Sequence, residues 1–402
     1  THYIVKNTID TYIEEHPEKL PTIKILDSSC GSGAFLNQAH SALRKQYQIQ
    51  TDKRIQEVEG NLNLFQHTNL IENDRTILLN NLFGIDINPE STEITKLALW
   101  LKTANKTAPL QNLDKNIKCG NSLLYGWHDD GNDGKFDIII GNPPYIKEYT
   151  NKKAFDGLHD SPYYQGKMDL WTLFACQAID KLNEGGYLSF IAPNSWLTNT
   201  GASIFRNKIL SEGEIIKFID FGDFKVFKEA GIQTMIFVFK KCTPRASYEV
   251  DYCKIDDKKL DEDIVKGFIE NELTEQINGI TKFKAKITPC ELMDKNLTFL
   301  NGNIDKVIEK IKNCKNAINL DDKEIGQGIV APQDFLNNAN ANILGKPFKK
   351  DDGIFCLSDS EKASIAFNKD ELNEIVKPYY TSNELFKYYN LEKNSYKIKY
   401  TG

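Results

Sequence analysis

Within residues 1–240, seven short apolar runs, at 23–27, 82–87, 116–119, 136–141, 186–192, 215–221 and 233–239, are separated by longer stretches of helical periodicity. Strands that alternate with helices build a mostly parallel sheet with helices packed on its faces. The last two runs lie too close together for a well-formed crossover helix, so they are expected to pair antiparallel. The pattern predicts a doubly wound α/β domain over 1–241, with a mostly parallel seven-stranded sheet. Residues 37–81 read as a helical start (Gln38 to Tyr47) followed by a polar surface insertion. After about residue 242 the periodicity weakens. Lys-, Asp- and Asn-rich segments at 251–264, 311–323 and 337–352 separate short helical patterns such as 303–312 and 370–376. Residues 242–402 are therefore expected to be an α-rich extension, a linker and the start of an incomplete second domain.

A chain of 402 residues with 40% hydrophobic and 26% charged side chains has the make-up of an ordinary globular protein and the length for two or three domains. No apolar run reaches 18 residues and no signal peptide precedes the first strand, which predicts a cytoplasmic protein without a membrane partner. The chain opens at Thr1 without Met and stops at Gly402 after a Tyr/Lys-rich run, and it reads as a fragment. The eight cysteines (30, 119, 176, 242, 253, 290, 314, 356) include no Cys-x-x-Cys pair and have no His at zinc spacing. They read as reduced, mostly buried thiols, with no metal called for. A net charge of −6, close to −4 in residues 1–240 and −2 beyond, hides no basic half. A nucleic-acid substrate would need local positive charge or a basic region elsewhere. Lys282-Phe-Lys-Ala-Lys286 and Lys346-Pro-Phe-Lys-Lys350 are the basic, aromatic-interleaved segments that stand out.

The run Phe136-Asp-Ile-Ile-Ile-Gly141 stops abruptly in Asn142-Pro143-Pro144-Tyr145. Two consecutive prolines fix φ, and each confines the residue before it to extended backbone, so Asn142 and Pro143 are held stiffly. The Asn142 side-chain oxygen and the Pro143 carbonyl are then two acceptors at one point. Such a pair suits a planar amino group whose lone pair is delocalised into a ring. Hydrogen bonds to its two N–H groups draw the lone pair out and aim it at an electrophilic methyl group. Tyr145 adds a π-face for an extruded base. A Pro-rich turn alone explains the prolines, but not Asn and Tyr beside them.

Upstream, Ile25-Leu26-Asp27-Ser28-Ser29-Cys30-Gly31-Ser32-Gly33-Ala34 is a strand, a small-residue loop and a helix start. Glycines allow close backbone approach to a ligand, and a helix N-terminus favours a carboxylate. A second run ends in an acid, Gly84-Ile85-Asp86-Ile87-Asn88, where a carboxylate can accept both hydroxyls of a ribose. A third ends in Cys119-Gly120-Asn121-Ser122, where Asn121 reads either as an adenine-edge ligand or as a turn residue. No Gly-x-x-x-x-Gly-Lys-Ser/Thr is present, which counts against a nucleoside triphosphate.

Taken in order, Asp-x-x-Cys-Gly-Ser-Gly-Ala-Phe-Leu, Gly-Ile-Asp-Ile-Asn-Pro, Gly-Asn-Ser-Leu-Leu and Phe-Asp-x-Ile-Ile-Gly-Asn-Pro-Pro-Tyr resemble the gamma-class adenine-N6 DNA methyltransferases of bacterial restriction–modification systems. The closest resemblance is to the methyltransferase portion of type II enzymes that fuse methylation and cleavage. The resemblance continues through Lys167–Phe174, Leu182–Leu197, Val226-Phe227 and Gln233–Phe239. It is fainter at Ile329–Pro332 and Val376–Ser382, which are similar to the approach to a target-recognition domain. It implies a Rossmann-like S-adenosylmethionine-dependent methyltransferase fold. It assigns Asp27 and the Gly31–Gly33 loop to the methionine moiety, Asp86 to the ribose hydroxyls, Asn121 to the adenine edge and Phe174 to packing on the adenine, with Ser29, Cys30, Ile87 and Ser122 as further cofactor-binding residues. Asn142 borders the cofactor and, with Pro143, holds the target amine, while Tyr145 and Phe227 sandwich the flipped base. Double-stranded DNA is the implied partner, with a nuclease domain or the missing recognition domain as further parts of the same polypeptide. The family usually has Pro where Ser28 stands and often Asp where Asn121 stands. Its N-terminal cofactor motif is clipped or altered at Thr1–Val5. Two other readings stay open: a methyltransferase acting on glutamine side chains, and a DNA-binding or assembly fragment that is idle without its recognition domain.

Overall fold

The computed structural model describes residues 1–57, 72–104, 110–125, 133–227, 231–270, 277–300, 335–354 and 356–369, together with 307, 310, 311, 314, 376–378 and 395–398. They fall into two compact units, Thr1–Lys310 and Ile311–Gly402. In the first, one sheet is built from β1 (Ile25–Asp27), β2 (Leu82–Asp86), β3 (Ile117–Cys119), β4 (Phe136–Gly141), β5 (Leu182–Pro193), β6 (Gly213–Asp220), β7 (Thr234–Lys241), β8 (Tyr248–Ile255) and β9 (Ile280–Ile287). Their order is 3-2-1-4-5-7-6-8-9. β7 is antiparallel to both β5 and β6, as the short connection requires, and β9 is antiparallel to β8; the other neighbours are parallel. The strand order reverses at β1, which β2 and β4 flank, so the crevice beyond the carboxyl ends of β1 and β4 is the switch point where ligands bind in such sheets.

The sheet sorts its side chains by alternation. Met235, Phe237 and Phe239 of β7 enter one core, and Ile236 and Val238 enter the other. In β4, Ile139 joins the first core while Ile138 and Ile140 join the second, which is why this strand reads as continuously apolar. Helices α3 (Leu170–Lys181) and α4 (Ser203–Ser211) cover the first face through tightly clustered rings, with Trp171 to Phe205 at 5.3 Å and Trp196 to Phe205 at 4.7 Å between centroids. The N-terminal helical segment and α1 (Ala34–Glu57) cover the other through Ile4, Ile9, Leu36 and Leu43. Asp137 anchors the lower end of β4. Its carboxylate accepts from the Lys24 amide at 2.9 Å, Tyr12 Oη at 3.0 Å and Asn183 Nδ2 at 2.9 Å, tying β4 to its surroundings across a register shift between Phe136 and Ile138.

The sequence-based expectation needs three corrections. The sheet has nine strands rather than seven and runs past residue 241 to Ile287, within a compact unit that reaches Lys310. Within the 251–264 segment, read above as a polar spacer, residues to Ile255 belong to β8 and Glu262–Ile269 form helix α5. Beyond 241 the described chain is also not predominantly α-helical: the second unit holds a three-stranded antiparallel sheet of β10 (Cys356–Ser358), β12 (Ser395–Ile398) and β11 (Val376–Pro378). The physical reason is one-sided burial. In β8 and β9, Tyr248, Val250, Tyr252, Ala285 and Ile287 face the core, whereas Glu249, Lys284 and Lys286 lie on the exposed face, so half of each strand looks like loop. Most of the helix expected at 303–312 and all of 370–375 lie outside the described residues, and Val376 opens a strand.

Burying one large apolar side chain stabilises by about 1.5–3 kcal/mol, and a domain's net stability is about 5–15 kcal/mol. Removing β8 and β9 therefore exceeds what the fold can lose. A chain cut after Lys310 is expected to unfold in one cooperative urea transition, and a chain cut after Lys241 to show none. A cooperative transition in the shorter chain would contradict the nine-stranded unit.

Candidate active site

Three strand ends converge at the switch point. Asp27 closes β1, aligned with Ile140 of β4 and Gly84 of β2, and Asp86 closes β2, aligned with Cys119 of β3. Asp27 is 1% exposed. Its Oδ1 accepts from the Ser29 amide at 3.1 Å, while Oδ2 has no partner. Burial pushes this carboxyl up to about 7; the Ser29 amide opposes the shift, and the nearby Asp86 charge adds to it. Gly141, the last residue of β4, lies directly against it: a Cβ there would stand 2.7 Å from Asp27 Oδ1. The end of the Phe-Asp-x-Ile-Ile-Gly run is thus glycine because the neighbouring strand's carboxylate occupies the space.

The loop from Ser28 to Gly33 is shaped by its contacts to β2 and to α2 (Pro89–Thr103). The Cys30 amide donates to the Ile85 carbonyl at 3.0 Å, and the Gly31 amide donates to Asp86 Oδ2 at 2.8 Å. Thr95 of α2 donates its Oγ1 to the Gly31 carbonyl at 2.8 Å and fills the space beneath Gly33, where a Cβ would meet it at 2.9 Å. With φ of +83°, Gly33 holds a conformation that side chains resist. Space beside Gly31 stands open. Asp86 Oδ1 also accepts from the Asn88 amide at 2.9 Å, and Asn88 caps α2 by accepting from the Ser91 amide, with Pro89 in the first turn. The sequence Asp-Ile-Asn-Pro is therefore a strand end passing directly into a capped helix. Between them Ile87 is 73% exposed, an apolar surface presented beside the Asp86 carboxylate.

Asn121 accepts from the Leu123 amide at 3.0 Å, so it acts as a turn residue and keeps its remaining lone pair for a ligand. Ser122 is buried, and Phe174 is packed into the first core from α3. Burial, Asp27 and Asp86 all push the Cys30 thiol up, which leaves it a neutral packing residue without nucleophilic character.

Beyond Gly141, Asn142 is exposed and Pro143 buried. The Tyr145 hydroxyl rests against both Asn142 Oδ1 and, at 2.8 Å, the Ile191 carbonyl of β5. Burial pushes this phenol up, so it stays a donor. A phenol has one proton and cannot serve both acceptors. As placed, Asn142 Oδ1 meets the Tyr145 hydroxyl, so freeing that oxygen for a ligand takes a half-turn of the Asn142 amide, with the phenol donating to the Ile191 carbonyl. Phe227 is 36% exposed in the segment after β6, two strands beyond β5. Sequence reasoning missed Thr95 and the Ile191 carbonyl, since neither lies in a motif and both act through backbone geometry. It noticed Ser28 only as a departure; its hydroxyl is buried without a partner, as is that of Ser29.

The unpaired Asp27 Oδ2, the Ser28 and Ser29 hydroxyls, the second carboxylate of Asp86 and the open space at Gly31 fit a ligand that carries positive charge at one end. Exposed Ile87 fits an apolar ring at the other. S-adenosylmethionine has both. The Asp27 carboxyl is raised relative to an unfolded chain, near 3.8, so the folded state retains a proton that the unfolded state releases. The resulting loss of stability builds as pH rises through about 4 to 7, reaching at most about 4 kcal/mol above that window. Asp27→Asn is expected to raise thermal stability at about pH 8, to have a much smaller effect at about pH 4.5, and to lose cofactor binding, as read by melting curves and calorimetry. An equal stability change at both pH values would show that the carboxylate charge is not its cause.

Residues 80–227 match the Eco57I restriction-modification methylase family. The type II restriction enzyme and methyltransferase RM.Eco57I of Escherichia coli is 26% identical over 98% of this chain and 40% of its own length. The type II methyltransferase M.HincII of Haemophilus influenzae is 26% identical over 42% of this chain and 39% of its own. The chain thus spans about two fifths of these relatives. Among solved structures, the ATP-dependent type ISP restriction-modification enzyme LlaBIII bound to DNA superposes on 76% of this chain and 23% of its own with a TM-score of 0.51 at 15% identity, a likeness of fold. The match to a restriction-modification methylase family is thus confined to residues 80–227, and the chain is similar in sequence to type II restriction–modification methyltransferases.

Proposed function

We propose that this chain transfers a methyl group from S-adenosylmethionine to N6 of an adenine flipped out of duplex DNA, as the modification activity of a restriction–modification system. The observation that carries the reading is the abutment of two loops: the Asp27 carboxylate at the end of β1 lies against Gly141, whose next residue is Asn142. A ligand held by Asp27 and Asp86 is therefore adjacent to whatever Asn142 and Pro143 hold. Bound there, S-adenosylmethionine supplies an electrophilic sulfonium methyl group.

The chain's own residues do the rest. Asn142 Oδ1 and the Pro143 carbonyl accept hydrogen bonds from the two amine N–H groups, pulling the nitrogen lone pair out of conjugation and turning it toward the cofactor side. Tyr145 and Phe227 cover the two faces of the base; extrusion costs a few kcal/mol, and each base–aromatic stack returns about 1–3 kcal/mol. Asp27 and Asp86 place negative charge around a cationic donor, and nothing in the arrangement calls for a covalent nucleophile. Local positive charge is available despite the net −6: the excursion that begins at Tyr145 exposes Lys147, Lys152, Lys153 and Lys167, and Lys225 is exposed just before Phe227. These side chains suit the phosphate backbone of duplex DNA. Domains for target recognition and cleavage, as further parts of the polypeptide, belong to the same proposal.

Asn142→Ala is expected to lower single-turnover methyl transfer to DNA at least about a thousandfold, since both positioning and electronic activation of the amine are lost. Its affinity for S-adenosylmethionine, measured by calorimetry, should stay within about threefold of wild type. Unchanged transfer by this variant would exclude the mechanism.

A further inference from the structure

We propose that Asn194 and Asp220 form a positioning strut that fixes the separation of the two walls of the target-base pocket. The inference rests on the function proposed above, in which Tyr145 and Phe227 are those walls. The walls hang from different strands. Tyr145 follows β4 and is fixed through its hydroxyl to Ile191 of β5. Phe227 follows β6, and β7 stands between β5 and β6, so no sheet hydrogen bond joins the exits of β5 and β6 directly.

Thr234 of β7 bridges the two exits through the backbone, pairing with Pro193 and accepting from the Phe221 amide at 3.0 Å, and side chains add a direct join. Asn194, the first residue after β5, donates Nδ2 to Oδ1 of Asp220, the last residue of β6, at 2.9 Å. The same oxygen accepts from the Gly222 amide at 2.9 Å, closing the turn that starts the Phe227 segment. Gly222 has φ of +49°, and a Cβ there would press on the Ile255 carbonyl at 2.8 Å, so the turn is tightly seated. Asp220 is 8% exposed, and its charge helps to push up the nearby Tyr252 phenol of β8, which burial raises most. A carboxylate only accepts, so it fixes which end of the Asn194 amide it meets.

The far side of the strut is equally stiff. The Asn194 amide donates to the Gln233 carbonyl at 3.2 Å, and Gln233 Nε2 donates to Asp223 Oδ1 at 2.7 Å. The buried Arg206 guanidinium donates to the carbonyls of Trp196 at 2.6 Å and Asn199 at 2.5 Å, locking the turn that follows Asn194. Both walls are therefore referred to β5: one through Ile191, the other through Asn194 and Asp220.

The separation matters because stacking is short-ranged. Each wall must lie about 3.5–4.0 Å from the base, and a gap of about 0.5–1 Å forfeits a quarter to a half of the contact. Neighbouring strands stand about 4.8 Å apart, so the exit of β6 lies roughly 14 Å from that of β4 and the Phe227 segment must lean inward to close the sandwich. A slack turn at Asp220 would leave the flipped base covered on one face only.

Asn194→Ala removes the strut and leaves the Asp220–Gly222 turn in place. Its affinity for S-adenosylmethionine should remain within about twofold of wild type, while kcat/KM on duplex DNA falls about tenfold or more. The target adenine, located from the wild-type product, is then placed opposite an abasic site, which makes flipping easier; on that duplex the loss should shrink to about threefold or less. Asp220→Asn, which keeps an acceptor for the Gly222 amide and for Asn194, should stay close to wild type. No loss, or an equal loss on both duplexes, would overturn the strut. Should the wild-type chain transfer no methyl group to DNA, the proposed function fails, and the strut is read from hydrogen exchange of residues 221–227: faster exchange in Asn194→Ala supports it and unchanged exchange overturns it.

Discussion

Where β1 meets β4, the Asp27 carboxylate is buried with one oxygen unpaired, and the neighbouring geometry follows from accommodating it. Gly141 lacks a side chain because Asp27 Oδ1 occupies the space, and the Ser29 amide donates a hydrogen bond to the same oxygen. The carboxyl is pushed up to about 7 because burial strips it of water, against which the Ser29 amide works, and Asp86 adds a second negative charge. A protein that keeps a carboxylate in this state gives up stability unless a cation arrives. In the function proposed above, the same residue couples a cost in the free fold to a gain on binding a positively charged cofactor, and it lies against Gly141, the residue before Asn142.

β5 plays the complementary mechanical part. It is the longest strand of the sheet and lies between β4, which delivers Asn142 and Tyr145, and β7, beyond which β6 delivers Phe227. Its exit supplies the Ile191 carbonyl to Tyr145 and Asn194 to Asp220. Beneath it, the ring cluster of Trp171, Trp196, Phe205 and Phe237 gives this part of the molecule close-packed support. In the proposed function, the cofactor side is thus organised by charge and the base side by rigid attachment to one strand.

Much of this was legible in the sequence because the residues concerned lie at strand ends, where chain direction and turn chemistry restrict the choice. The strands ending at Asp27, Asp86, Cys119 and Gly141 were each expected within about two residues. The antiparallel pair β6–β7 followed from the shortness of its connection. The strands beyond 241 were not legible, because β9 reads Thr-Lys-Phe-Lys-Ala-Lys and one of its faces is nearly all charge. The structure explains that charge without nucleic acid: Lys284 pairs with Asp251 at 3.1 Å, Lys286 lies opposite Glu249, and Lys282 lies over the Phe268 ring, on the last strand of the sheet order. Lysines on a terminal strand also discourage pairing with other chains. Asn194 and Asp220 escaped notice for a different reason: a contact between residues 26 apart, across an intervening strand, has no signature in local pattern.

The most direct measurement is the identity of the methylated nucleoside. The wild-type chain is incubated with methyl-labelled S-adenosylmethionine and mixed-sequence duplex DNA, and the DNA is then digested to nucleosides and resolved by mass. The proposed arrangement, with two acceptors around an exocyclic amine and Tyr145 and Phe227 on the two faces of the base, is expected to yield labelled N6-methyladenine. Label in N4-methylcytosine, or label confined to protein while cofactor binding is intact in the same sample, would contradict the account.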